Sequence, residues 1–265
     1  MSSENFLDDK KLKKLDNKLQ KIISRSGIDK KTEDEVFDKY TLLTIGKLIS
    51  DRVIDIIDFP ISTGKEGNVF RAITPDKKNV VLKIYRITTS TFKHISEYIL
   101  GDPRFSNIRK TRKDIVFAWT KKEFKNLERI TRIGINAPKP IIFRNNVLVM
   151  QYIGTKQQSA PLLKDIELDN PEIIYKTIID FIEKMYKKAD LVHADLSPYN
   201  ILIHKNKPYI IDLGQGVLIQ HPQAQEYLKR DISNVVKFFN KYGITENPNK
   251  IYDNIINLKK NSDLK

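Results

Sequence analysis

The sequence predicts an α+β chain of two lobes with a helical extension at its N-terminus. Three observations carry this. Apolar spacing is helical up to about residue 50 and changes near Ile54, where short β-branched runs separated by turn residues begin. One long amphipathic stretch follows. Beyond residue 154 the pattern is mostly helical, broken by a single tight hairpin. The expected divisions are an extension over 1–50, a first lobe over 51–153 and a second over 154–265.

In the extension, Leu12, Leu15, Leu19, Ile22 and Ile23 fall at helical spacing and Ser26-Gly27 ends the pattern. A second helix is expected after Thr32, with Glu35 completing a capping box and Val36, Phe37, Tyr40 and Leu43 turned inward. The runs Ile56–Ile61, Val69–Ile73 and Val80–Ile84, parted by Gly64–Gly67 and by Pro75–Asn79, read as a three-stranded antiparallel meander. Residues 87–113 lack clean periodicity and are expected to form a long, mobile loop. Asp114–Ile133 is helical, with Ile115, Trp119, Phe124, Leu127 and Ile130 on its apolar face. Val147–Ile153 is a buried strand and Gly154–Pro161 a linker. Pro171 opens a helix. Ile201–Ile203 and Tyr209–Ile211 make a hairpin, and the last clear helix starts near Pro222.

Composition narrows the function classes. Hydrophobic residues are 40% and charged residues 30% of the 265, as in a globular chain. The net charge of +14 favours an acidic partner such as nucleic acid or phosphates. With no cysteine, disulfides, thiolate zinc and thiol catalysis are excluded. No apolar run approaches the roughly 18 residues of a membrane span, and the N-terminus lacks a secretory apolar region. A soluble cytoplasmic protein without a membrane partner is expected.

The chemistry concentrates in His193-Ala194-Asp195-Leu196-Ser197-Pro198-Tyr199-Asn200 and in Ile211-Asp212-Leu213-Gly214. Asp195 and Asn200 precede one strand of the hairpin and Asp212 follows the other, so the hairpin brings its two ends together. Two carboxylates and an amide oxygen suit Mg²⁺, which keeps phosphate oxygens and waters in its other positions. The spacing matches the catalytic loop H-x-D-x-x-x-x-N and the metal-binding D-F-G of protein kinases. Asp195 is then the base or hydroxyl-orienting group, Asn200 a metal ligand and Asp212 the main metal ligand. Turn-forming Asp and Asn flanking a hairpin would be the plainer account. Such a site also needs a lysine for the α/β-phosphates. Lys83 lies in the third strand among apolar neighbours; Glu123 of the long helix is the expected carboxylate partner, with Glu128 a weaker substitute. The turn Ser62-Thr63-Gly64-Lys65-Glu66-Gly67 could offer N–H and O–H donors to phosphates, although it is neither G-x-G-x-x-G nor a Walker A loop.

Taken together, STGKEGNVF, VLKIYR, KKEFKNLERI, VLVMQYIG, LVHADLSPYNILI, IIDLGQGV and HPQAQEYLKRDISNVVKFF resemble the RIO family of atypical serine/threonine protein kinases, over about residues 40 to 243. The likeness is to its shorter archaeal branch, since too few residues precede the STGKE strand region for an N-terminal winged helix. It implies a two-lobed, trimmed protein-kinase-like fold and an enzyme that uses ATP with Mg²⁺ or, as a substitute, Mn²⁺. It implies a role in small ribosomal subunit maturation and an aspartyl-phosphate on Asp212. It implies phosphate contacts from Ser62, Thr63, Gly64, Lys65 and Glu66, adenine contacts from the backbone of Gln151 and Ile153, and a pocket lined by Met150. Three departures stand out. Gly67 replaces the loop's usual alanine, which is expected to loosen it. Ala194 replaces the arginine of many ordinary kinases, so control through a phosphate clamped to that arginine is not expected. Gln151 replaces a hinge glutamate. With 53 residues after Asp212 and no A-P-E motif, a docking surface for extended peptides is not expected. Kinase or ATPase activity with autophosphorylation is therefore expected, the alternative being a nucleotide-latched assembly factor with little turnover. A small-molecule kinase of similar fold fits the basic chain poorly. Asp231 reads either as a brace for the catalytic loop or as a solvated helix aspartate.

The charge is uneven. Residues 83–132 hold 13 Lys/Arg and 5 Asp/Glu, with Phe92, Tyr98, Phe105 and Trp119 among them. Basic residues interleaved with aromatics suit RNA backbone binding and base stacking, here expected on the rRNA of the pre-ribosomal small subunit. Solubility charge beside core aromatics is the competing account. Ser106 and Thr111 are the expected self-phosphorylation sites, since a phosphate there would pair with nearby arginines.

Overall fold

A computed structural model describes residues 13, 17, 38–64, 67–87, 98, 102, 104 and 111–262. The helix expected over Leu12–Ile23, the start of the second one, most of the 87–113 loop, Lys65, Glu66 and Ser106 lie outside the described residues. The chain divides into two compact units. The first comprises Met1–Ser96, Ile108–Lys121 and Pro140–Tyr152, the second Glu97–Asn107, Lys122–Lys139 and Ile153–Lys265.

The first unit opens with α1 (Lys39–Ser50), capped by Asp38, whose Oδ1 accepts a 2.8 Å hydrogen bond from the Thr41 amide. The face it buries is not the one expected. Tyr40 is 52% exposed and carries the Lys113 ammonium 3.7 Å from its ring centroid, while Thr41, Thr44, Ile45, Gly46 and Leu48 turn inward. The reason is polar. Asn145 Nδ2 donates to Thr44 Oγ1 and Asn146 Nδ2 to Thr41 Oγ1, each at 2.8 Å, so two threonines pass for core positions.

The sheet is five-stranded and antiparallel, in the order β1 (Ile56–Thr63), β2 (Gly67–Ile73), β3 (Asn79–Tyr85), β5 (Val147–Gln151) and β4 (Pro140–Arg144). The meander holds with the expected pairing. β4 was not anticipated. Its hairpin to β5 turns through Asn145, whose φ of 53° is a left-handed conformation that asparagine tolerates. Ile45, Leu48, Phe70, Leu82, Ile84, Val147 and Val149 form the heart of the core. Gly67 has a packing role in the sheet. It is the first residue of β2, and a Cβ there would lie 2.3 Å from the Ile84 carbonyl oxygen, so glycine is what lets β2 and β3 approach.

The helix α2 (Arg112–Arg132) contributes its first half to this unit and its second, from Lys122, to the other. Thr111 caps it: its Oγ1 accepts from the Asp114 amide at 3.2 Å and donates to Asp114 Oδ2 at 2.6 Å. Trp119 is core, 1% exposed.

In the second unit, α3 (Pro171–Lys188) buries Ile174, Tyr175, Ile178, Phe181, Ile182 and Met185. Then come β6 (Leu191–Val192), the hairpin β7 (Ile201–His204) and β8 (Lys207–Ile210), and β9 (Val217–Leu218), which pairs with β6. The helix α4 (Ala224–Phe239) is followed by α5 (Pro248–Ser262), which the sequence reading missed; α3, α4 and α5 pack on one another. Among the described residues no helix is long and apolar enough to cross a membrane.

Candidate active site

Each group of candidate residues is held by its own unit. In the first, Lys83 sits on the central strand β3, opposite Val69 of β2 and Leu148 of β5. It is 8% exposed, so it is no solvated edge lysine, and its Nζ lies 5.0 Å from the Tyr85 ring centroid. Ser62, Thr63 and Gly64 close the end of β1, where the Gly64 amide donates to the Gly67 carbonyl at 2.9 Å. Met150 is buried on β5, and Gln151 has an exposed side chain beside Val80.

In the second unit, Ile153 is buried and its carbonyl accepts from the Ala160 amide at 2.9 Å. Glu123 is fully buried on α2. Asp195 and Asn200 are brought together: Asn200 Nδ2 donates to the Asp195 carbonyl at 2.8 Å and to its Oδ2 at 3.0 Å. With its nitrogen so engaged, Asn200 has its Oδ1 left to meet a cation. The hairpin closes the loop onto the next one, because the Ile211 amide donates to the Asn200 carbonyl at 3.0 Å. His193 does the same from its side chain, donating from Nε2 to the Ile211 carbonyl at 3.0 Å. Burial pushes its imidazole below the usual range, against the pull of the Ile211 hydrogen bond, Asp195 and Asp212. Burial pushes the Asp195 carboxyl up, and the nearby charge of Asp212 adds to this, while His193 and the Asn200 hydrogen bond oppose it.

The backbone here is strained. Ala194 has φ 66° and Asp212 φ 62°, left-handed values that non-glycine residues hold only when their surroundings dictate it. For the first loop those surroundings are α4. Asp231 accepts from the Ala194 amide at 2.8 Å and from the Leu196 amide at 2.9 Å. Arg230 donates to the Ala194 carbonyl, and Asn234 Nδ2 to the Leu196 carbonyl at 3.1 Å. Asp231 is thus a brace: it is 1% exposed, and burial pushes its carboxyl up to about 7 against the pull of both amides and Arg230. For the second loop the surroundings are α2. Lys122 Nζ donates to the Gly214 carbonyl at 2.9 Å, and Asn126 Nδ2 to the carbonyls of Leu213 at 2.8 Å and Gly216 at 2.9 Å.

Lys122, Asn126, Arg230 and Asn234 escaped the sequence reading. A signal existed on α2: Lys122, Glu123 and Asn126 occupy the stripe that buries Trp119, Leu127 and Ile130, whereas Phe124, expected inside, is only partly buried. Several cations of the basic segment have partners within the second unit or lie buried. Of the cations in 83–132, Lys83 and Lys122 are buried, Arg104 pairs with Asp102 and Arg129 donates to the Ala189 carbonyl at 2.7 Å.

Among the described residues no three His, Cys, Asp or Glu side chains converge on one point. The candidate donors, two carboxylates and an amide oxygen, are hard oxygen ligands of the kind that suits Mg²⁺, which takes its remaining positions from phosphates and waters.

The RIO domain profile matches residues 68–251. The chain is 44% identical over 223 residues to the RIO-type serine/threonine-protein kinase Rio1 of Haloferax volcanii, covering 84% of this chain and 77% of that one. It is 51% identical over 187 residues to the Rio1 kinase of Thermoplasma acidophilum, covering 71% and 98%. In fold it is similar to the Rio2 kinase of Chaetomium thermophilum, crystallised as an ADP/Mg²⁺–phosphoaspartate complex. The TM-score there is 0.67 at 18% identity, over 96% of this chain and 88% of that one.

Proposed function

The chain belongs to the RIO family of serine/threonine protein kinases, and from that premise we propose that it is an ATP- and Mg²⁺-dependent phosphotransferase with ATP hydrolase activity, capable of autophosphorylation. The observation that carries the reading is the joining of Asp195 to Asn200 on a braced loop whose neighbour presents Asp212. Asp195 orients the attacking hydroxyl or water. Asp212 and Asn200 hold the metal, which neutralises phosphate charge when bound, with Mn²⁺ a substitute. Lys83 serves the α/β-phosphates, with Glu123 as its carboxylate. Ser62, Thr63, Gly64, Lys65 and Glu66 contact the phosphates; Gln151 and Ile153 contact adenine beside Met150. Most of the rate comes from positioning and electrostatics.

The related Rio2 complex carries a phosphoaspartate. We assign the corresponding acceptor here to Asp212, which stands in a left-handed backbone conformation just past β8. The remaining steps are assignments of the same kind: action on the pre-ribosomal small subunit through the basic segment 83–132, in the cytoplasm, and self-phosphorylation at Ser106 or Thr111. Phosphate on Thr111 would replace the cap of α2 and sit at a helix N-terminus, which favours negative charge.

The test follows γ-labelled ATP into free phosphate and into protein. Wild type should release phosphate and carry some hydroxylamine-labile label, and Asp212→Ala should do neither. Nucleotide binding without turnover or label in wild type would overturn the enzymatic reading and leave a nucleotide-latched assembly factor.

A further inference from the structure

We propose that Asn126 is a positioning residue for Asp212, aimed by the Asp102–Arg104 pair. Asn126 is fully buried, and all its polar capacity is directed. Its Nδ2 spends both protons on the loop after Asp212, at the Leu213 and Gly216 carbonyls. Its Oδ1 accepts from an Arg104 terminal nitrogen at 2.9 Å. A flipped amide would set its oxygen against two carbonyl oxygens and its nitrogen against a guanidinium, so Arg104 selects the one useful orientation. Arg104 is in turn fixed by a forked contact. Its Nε donates to Asp102 Oδ1 at 2.9 Å and its other terminal nitrogen to Oδ2 at 2.6 Å, and Asp102 is 2% exposed.

The loop is shaped to receive this amide. A Cβ on Gly216 would lie 2.9 Å from Asn126 Nδ2 and 3.1 Å from the Leu213 carbonyl oxygen, so glycine makes room for the contact. One turn earlier on the helix, Lys122 takes the Gly214 carbonyl. The carbonyls of residues 213, 214 and 216 are thus all held by one helix face, and the residue they follow is the left-handed Asp212. The effect of this arrangement is to fix the direction of the Asp212 carboxylate.

The inference rests on Asp212 as the metal-holding carboxylate, and the experiment separates the two. ADP affinity is measured by calorimetry with Mg²⁺ and with EDTA, alongside kcat and the Mg²⁺ concentration for half-maximal turnover. The proteins are wild type, Asn126→Ala, Arg104→Lys, Gly216→Ala and Asp212→Ala. Asn126→Ala should keep its Mg²⁺-free ADP affinity, lose most of the gain Mg²⁺ confers, and need roughly 10–100-fold more Mg²⁺ for turnover. Arg104→Lys, which keeps the charge and loses the fork, should shift the same readouts less. Gly216→Ala should resemble Asn126→Ala. A merely structural amide would lower Tm and leave the Mg²⁺ dependence of the folded protein untouched, and that result would overturn the proposal. Should Asn126→Ala fail to fold, unchanged Mg²⁺ dependence in Arg104→Lys and Gly216→Ala would overturn it equally. If Asp212→Ala keeps the wild-type Mg²⁺ response, the metal assignment itself fails.

Discussion

Lys83 and Asp212 are held in place by opposite means. Lys83 takes its place from sheet register: paired strands lie on both sides, its neighbours are apolar, and period-2 alternation sets which face of the sheet it is on. Asp212 lies just past a strand end, in a left-handed conformation, on a loop whose carbonyls are gripped by side chains about ninety residues earlier. Asp195 resembles Asp212 here, with its loop gripped from α4. Regular backbone positions a residue through many small, local preferences. Irregular backbone needs a few specific polar contacts from far along the chain, and each can be removed by one substitution.

That difference orders the expected effects. The largest should come from Asp231→Ala. It strips the partner from two buried amides, each worth about 1–3 kcal/mol when left unsatisfied, out of a total stability of about 5–15 kcal/mol. Denaturant unfolding should show a loss of several kcal/mol, with turnover collapsing in whatever protein remains folded. An unchanged midpoint would mean that α4 does not brace the loop.

Gly67→Ala probes the sheet side. Its Cβ would press on the Ile84 carbonyl, which cannot move without disturbing the β2–β3 ladder. A cost of about 1–3 kcal/mol is expected, as for other overpacked sites. It should appear as a lowered Tm, with the Mg²⁺ dependence unaltered. A Mg²⁺ effect here would blur the contrast between the two regions.

A smaller, pH-dependent effect should come from Lys122. Burial pushes its amine down from 10.5 to about 7. Between those values the unfolded chain holds a proton that the folded chain has released, so this residue makes stability rise with pH across that window. Lys122→Met should flatten the rise in Tm between pH 7 and about 9.5. A slope identical to wild type would show that Lys122 stays charged in the fold.

The sequence was legible where structure follows from periodicity. The meander, the long helix and the hairpin with Asp195, Asn200 and Asp212 on its flanks all announced themselves through spacing. Three things did not. β4 is an edge strand of mixed burial with no alternation to detect. The buried face of α1 is drawn by hydrogen bonds from Asn145 and Asn146 to two threonines, which no hydrophobic pattern encodes. The braces are polar residues on helices, and polarity in a helix reads as a solvated face until the partner is seen. Asp231 could be left open from sequence because it stood near the motif in order. Asn126 could not, since its partners follow about ninety residues later.

The most direct test of the account is the turnover and nucleotide affinity of Asp195→Asn. The substitution keeps the size of the side chain and removes the negative charge proposed above to orient the attacking group. ATP·Mg²⁺ affinity should stay near that of wild type while kcat falls by roughly 10²–10⁴-fold. Undiminished turnover with intact binding would contradict the placement of phosphoryl transfer on the Asp195–Asn200 loop.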